Sequence, residues 1–304
     1  MDIITKTLDR FLDLKPNQFI FDIETTGLNS KYNKVILIGI AFNEDNNTII
    51  KQFFANTPNE EYDLLLSFVD FIKLFDSHIS FNGFNFDIPF INYRLKKHEI
   101  DFSLSKDDGI DILKLIKPFK EKLSLSDCKL KTIEKYLDIN RSDTISGKDS
   151  VYLYKEFEKS QDTGLKSKIL LHNYDDIYYL GVIFNNLDII EKKLDSVLIT
   201  INHSTVSITP VSFKFIKDTL IVDYISFKED FPPIAIYENL YSITSNKNIL
   251  KLSLSIESAL DKDSNIILFF RANKIIILKV DNTVIYNNIL TLCNFILNKS
   301  INSL

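Results

Sequence analysis

Between residues 18 and 55 the chain reads as three apolar runs divided by polar turns. "QFIFDIET", "KVILIGIAF" and "TIIKQFFA" are short and rich in β-branched and aromatic residues, so each is expected to be a strand. The links are short, which predicts an antiparallel meander. The period then changes. "NEEYDLLLSFVDFIKLF" places Leu65, Phe68, Val69, Ile72 and Phe75 at helical spacing. "HISFNG" reads as a short strand ending in a glycine turn. "DIPFINYRLKKHEI" follows as a helix that tolerates Pro89 in its first turn. "GIDILKLI" reads as a fifth strand running into a helix, and helices are expected in "LKTIEKYL", "SVYLYKEFEK" and "LKSKILLHNYDDIYYLGVIFNN". The result is an α/β fold, a mixed five-stranded sheet flanked by helices.

From about residue 195 the pattern shifts again. "SVLITIN", "VSFKFIK", "TLIVDYISF", "IAIYENLYSI", "ILKLSLSI", "NIILFFRA" and "KIIILKV" are short runs, several alternating apolar with polar residues as half-buried antiparallel strands do. Their links use Asn, Asp and Ser where glycine is usual. "TVIYNNILTLCNFILNK" closes the chain as an amphipathic helix. A mainly antiparallel β domain with a C-terminal helix is expected there.

Composition sharpens this division. All seven glycines of the 304 residues precede residue 182. Such different turn chemistry predicts two domains, 1–190 and 191–304, joined within "NNLDIIEKKLDS". A net charge of −5 argues against a broad basic surface coating duplex DNA. Cys128 and Cys293 stand in no metal-ligand spacing, which predicts reduced thiols and a cytoplasmic protein. The opening residues carry acids and no apolar core of a secretory leader, and "VILIGIAF" is too short to span a bilayer, so no membrane association is expected.

The candidate chemistry begins where the apolar pattern breaks. Asp22 and Glu24 lie two apart in "FIFDIETTGL", so on a strand they face one side, their Cα atoms about 6.7 Å apart. Two like charges on one face of a core strand need protonation, a basic partner, a cation or solvent. The run supplies no base; a hard divalent ion with oxygen ligands and a solvated strand end both satisfy it. Asp87, in "FNGFNFDIPFI", follows a strand and turn and opens a helix, a position where capping is the ordinary role. In "LLHNYDDIYYL", His172 and Asp176 are four apart and share one helical face. The apolar face uses Leu170, Tyr174, Ile177, Gly181 and Phe184, which places Asp176 at its edge and Asp175 toward solvent. Four acids from three segments and one imidazole are what two-metal phosphodiester hydrolysis requires. Asp22 is then the natural bridging ligand, and a neutral His172 the general base.

These motifs resemble the DEDD superfamily of 3′–5′ exonucleases, which have a ribonuclease-H-like fold. "FDIETTGL" is similar to the first exonuclease motif, "FNGFNFDIPFI" to the second and "HNYDD" to the third. With "IDILKLIKPF", "CKLKTIEKYLDI" and "ISGKDSVYLY" between them, the likeness is to the YprB-type ribonuclease-H-like domain over residues 17–187. The resemblance implies a nuclease acting on single-stranded DNA or RNA with two divalent cations, Mg²⁺ or Mn²⁺. It implies Asp22, Glu24, Asp87 and Asp176 as metal ligands, and Thr25, Thr26 and Leu28 as lining the terminal-nucleotide pocket. Asn82 and Asn85 are substrate-side donors or turn formers. Asp111 is a helix cap or a support for the site. Lys114, Lys117, Lys120, Lys122, Lys129 and Lys131 form a solvated tract or a path for a strand. His172 stands at the spacing that Tyr-type members use, a departure from the His-type pattern. Residues 191–304 take no part in the resemblance and are open to substrate grip, dimerisation or a protein partner.

Overall fold

The computed structural model describes residues 1–8, 11–140, 145, 147–201, 203–228 and 230–301. The chain divides into two compact units, Met1–Asn186 and Leu187–Leu304.

The first unit runs β1 (Asp2–Thr7), β2 (Gln18–Thr25), β3 (Val35–Glu44), β4 (Asn47–Phe54), α1 (Glu61–Ile72), β5 (Ser77–Ser80), α2 (Asp87–Lys97), β6 (Gly109–Asp111), α3 (Ile112–Ile116), α4 (Leu130–Tyr136), α5 (Gly147–Ser160) and α6 (Thr163–Asn185). One sheet takes the order β1-β4-β3-β2-β5-β6. The meander β2–β3–β4 is antiparallel as expected, and β5 and β6 join it in parallel. This is a ribonuclease-H-like fold. The five expected strands are present, and β1 adds a sixth, antiparallel to β4 at the edge. β1 leaves most of its side chains exposed and is held by backbone pairing, so it carries no apolar signature.

β2 and β3 are apolar because both faces are covered. Phe19, Phe21 and Ile23 pack with Leu64, Phe68 and Ile91 in one cluster. The alternate residues Ile20, Asp22 and Glu24 face the other way, where α6 packs across β2 and β3. That approach needs a gap, and Gly39 provides it. A Cβ on Gly39 would lie 2.1 Å from Asn173 Oδ1 and 2.2 Å from Ile177 Cδ1. Gly39 is also the cross-strand partner of Asp22.

The second unit contains α7 (Leu187–Glu191), β7 (Val197–Ile201), β8 (Ser204–Ile216), β9 (Thr219–Ile225), β10 (Ala235–Tyr237), β11 (Tyr241–Asn246), β12 (Ile249–Ser255), β13 (Glu257–Leu260), β14 (Ile266–Arg271), β15 (Ile275–Val280), β16 (Thr283–Val284) and α8 (Tyr286–Ile301). Its sheets are antiparallel, in the orders β10-β11-β12-β9-β8-β7 and β13-β14-β15-β16. α8 packs Ile289, Cys293, Ile296 and Leu297 into their core. The expected strand "IAIYENLYSI" is two strands, β10 and β11, divided at residues 238–240. With glycine absent, His203, Lys217, Lys247, Ser264 and Asp281 take positive φ in the turns. Cys128 and Cys293 are free. Among the described residues no helix is long and apolar enough to cross a membrane.

Candidate active site

β2 outruns its parallel neighbour. β5 pairs with it only from Gln18 to Ile20, and the chain then leaves the sheet through residues 81–86 to open α2. The free edge of β2 beyond Ile20 receives that helix. Asp87 Oδ1 accepts the Ile23 N–H at 3.3 Å, between the two acids of β2. The capping position of α2 is Phe86, which makes no side-chain cap, so the Asp87 carboxylate is available to the site.

Asp111 anchors the loop that delivers Asp87. Its Oδ1 accepts the N–H groups of Asn82 at 2.8 Å and Leu113 at 3.1 Å, and its Oδ2 accepts that of Phe84 at 3.1 Å. It therefore caps α3 and supports the site at once. Asn82 takes positive φ (61°), and the Asn85 side chain donates to Asn82 Oδ1 at 3.0 Å. Both asparagines are tied into the turn. Of the lysine tract, Lys114 reaches this loop, its ammonium 4.7 Å from the Phe84 ring centroid.

α6 brings the third group. Asp162 caps its start, accepting the N–H groups of Gly164 at 2.6 Å and Leu165 at 3.1 Å. Two turns further on, His172 is buried, with Nε2 3.7 Å from Glu24 Oε1 and 3.7 Å from Asp176 Oδ2. Ligand atoms of Glu24, His172 and Asp176 all lie within 4.8 Å of one another. Asp175 departs from expectation: it is buried. α6 lies between the sheet and the helices α4 and α5, so it has no single solvent face for Asp175 to occupy.

Three polar residues at this site escaped the sequence reading. Asn173 is fully buried and donates to Asp22 Oδ2 at 3.0 Å and to the Asp22 carbonyl at 3.3 Å. Gln52, buried on β4, donates to Asn173 Oδ1 at 2.9 Å and to the Leu170 carbonyl at 2.8 Å. Ser150, buried on α5, sits beside Glu24 and favours its charged form. Asn173 adjoins His172 in "HNYDD". The neighbours Lys51 and Gln52 point to opposite faces of a strand, so one had to turn inward.

Burial lifts the Asp22 carboxyl well above the usual carboxylate range, and the charges of Asp176, Asp87 and Glu24 lift it further against the Asn173 amide. Burial raises Glu24 to about 7, with His172 and Ser150 opposing. Asp87 also rises to about 7 through burial, the Ile23 amide opposing and Asp111 and Asp176 adding. Among the described residues no Lys or Arg pairs with Asp22, Glu24 or Asp87. Crowded carboxylates with one imidazole and, among the described residues, no Lys or Arg partner are the donor set that a divalent cation satisfies. The second unit holds no comparable group among the described residues.

Thr25, Thr26 and Leu28 continue from β2. The Thr25 hydroxyl donates to the Gly27 carbonyl at 2.9 Å, and Thr26 Oγ1 accepts the Lys34 N–H at 3.0 Å. Leu28 is 84% exposed.

The sequence is similar to that of uncharacterized protein YprB of Bacillus subtilis (strain 168), 31% identical over 174 residues, which take in 55% of this chain and 40% of YprB. It is 32% identical over 143 residues to the PolC-type DNA polymerase III of Ureaplasma parvum serovar 3, covering 39% of this chain and 10% of the polymerase. The chain thus matches less than half the length of either relative. Among solved structures, the family B DNA polymerase of Pyrobaculum calidifontis is similar with a TM-score of 0.44 at 18% identity, over 59% of this chain and 26% of the polymerase. The profile of the RNase H superfamily matches residues 19–187, which run from the first strand of the meander past the end of α6 and include every residue of the acid cluster. The chain belongs to the RNase H superfamily.

Proposed function

We propose that this chain is a metal-dependent 3′–5′ exonuclease that hydrolyses phosphodiester bonds of single-stranded nucleic acid to nucleoside monophosphates. The observation that carries this reading is the gathering of Asp22, Glu24, Asp87 and Asp176, with His172 beside Glu24 and Asp176; burial and mutual repulsion raise the proton affinity of the first three, and among the described residues no Lys or Arg pairs with them. Similarity to a DNA polymerase supports a nucleic-acid substrate. The direction of attack follows the resemblance of the three motifs to 3′–5′ exonucleases.

Two divalent cations, Mg²⁺ or Mn²⁺, held by the four acids would lower the pKa of water and offset charge on the phosphate. The chain's own residues do the rest. Asn173 and the Ile23 amide hold Asp22 and Asp87 in fixed orientations. His172 takes the proton of the attacking water at Nε2. Thr25 and Thr26 stiffen the turn beyond Glu24, and Leu28 offers an apolar edge to the terminal nucleotide.

End-labelled DNA, RNA and hybrid strands incubated with Mg²⁺ or Mn²⁺ test the reading, with Asp22→Asn as control. Stepwise shortening from the 3′ end, absent in Asp22→Asn, is expected. Cutting of circular single strands would mean an endonuclease, and no cutting of any strand would overturn the enzyme reading. His172→Ala with undiminished activity would remove the proton-accepting role.

A further inference from the structure

The loop joining β2 to β3 is fastened more heavily than a strand connection requires. Thr26 N–H donates to the Lys34 carbonyl at 2.9 Å. Inside the loop, the N–H groups of Tyr32 and Asn33 reach the Asn29 carbonyl at 3.1 and 2.9 Å, and the Asn33 amide reaches it at 3.0 Å. From outside, Arg94 Nη1 donates to the Ser30 carbonyl at 3.0 Å.

Arg94 is 2% exposed and forks onto Glu61, 1% exposed, through Nε at 2.8 Å and Nη2 at 2.5 Å. Glu61 also takes the Val35 N–H at 2.8 Å and meets His98 Nε2 at 2.8 Å. A buried ion pair adds little net stability over an apolar pair, but it imposes geometry. Here it fixes the middle of the loop, at Ser30, to α2, the helix that begins at Asp87, and the far end, at Val35, to Glu61 of α1.

What this frame holds out is apolar. Leu28 is 84% and Tyr32 75% exposed. The Lys31 ammonium lies 5.5 Å from the Tyr32 ring centroid. A bare aromatic face on a fixed backbone loses little entropy on binding. An aromatic face beside a cation matches a nucleobase and its phosphate.

We propose that Tyr32 is a stacking subsite for a nucleobase of a single strand, with Lys31 meeting the strand's phosphate and the Arg94–Glu61 pair setting the subsite's position. This rests on the reading of the chain as a single-strand nuclease. The test is fluorescence anisotropy of a 5′-fluorescein oligothymidylate, and of an abasic deoxyribose-phosphate strand of equal length, in Ca²⁺. Tyr32→Ala is expected to weaken binding of the oligothymidylate about tenfold, by the usual value of one base–aromatic stack, with little change for the abasic strand. Tyr32→Phe is expected to restore the affinity. An equal loss on both strands, or less than a twofold loss on the oligothymidylate, would overturn the proposal. Cleavage by the wild type without a Tyr32→Ala effect would sink this subsite alone. Base-dependent binding through Tyr32 without cleavage would sink the nuclease reading alone.

Discussion

Asn173 has two duties. It orients Asp22, and its carbonyl takes the Gln52 amide and so pins α6 to the sheet. Asn173→Ala is expected to lower kcat/KM about 10- to 100-fold, as loss of a ligand-orienting partner usually does, and to raise the Mg²⁺ concentration for half-maximal rate. A metal titration of the variant checks this; an unchanged half-maximal Mg²⁺ would show that Asp22 orients itself. At this scale the sequence was legible where chemistry is local. Asp22 and Glu24 announce themselves as charges inside an apolar strand, and His172 and Asp176 as a helical pair. Asn173 and Gln52 were not legible, because an amide in a helix or strand reads as surface until the facing element is known. Asp175 was misplaced for the same reason: helical periodicity identifies one buried face, while α6 has neighbours on more than one side.

Elements divide in the same way. Strands with packed faces were readable, and β1 was not, because an edge held by backbone pairing leaves no side-chain pattern. Gly39 shows how one element places another. Gly39→Ala puts a methyl group into Asn173 and Ile177, and overpacking of this kind costs about 1–3 kcal/mol. Denaturant melts should show that loss, and activity should fall further than stability predicts because α6 carries both His172 and Asp176. In the second unit, the missing glycines leave L-residues in left-handed turns. Lys247→Gly, in the turn between β11 and β12, relieves a strain of about 1–2 kcal/mol against a smaller entropy cost. The variant is therefore expected to melt higher by thermal denaturation, and a lower melting temperature would show that the turn is unstrained.

For the whole molecule, the site makes stability depend on pH and on cations. Glu24 and Asp87 bind protons with pKa about 7 when folded, against ordinary values of 4.5 and 3.8. The folded state therefore holds more protons than the unfolded one between those values, and the stability these two groups contribute falls as pH rises, the loss being complete above about 7. In EDTA the protein is expected to melt lower at about pH 8 than at about pH 6. Added Mg²⁺ or Mn²⁺ should raise the melting temperature more at the higher pH, where protons no longer compete. Equal responses at both pH values would mean that burial does not keep these acids protonated toward neutral pH. Asp87 and Arg94 stand seven residues apart on α2, just under two turns, so the acid and the clamp share a phase around the helix axis. The helix acts as a ruler between reaction centre and recognition loop. Replacing its outward side chains leaves the ruler's length intact, but adding or deleting one residue between positions 87 and 94 turns the clamp by about 100° relative to the acid. Length variation inside this segment therefore uncouples the recognition loop from the reaction centre.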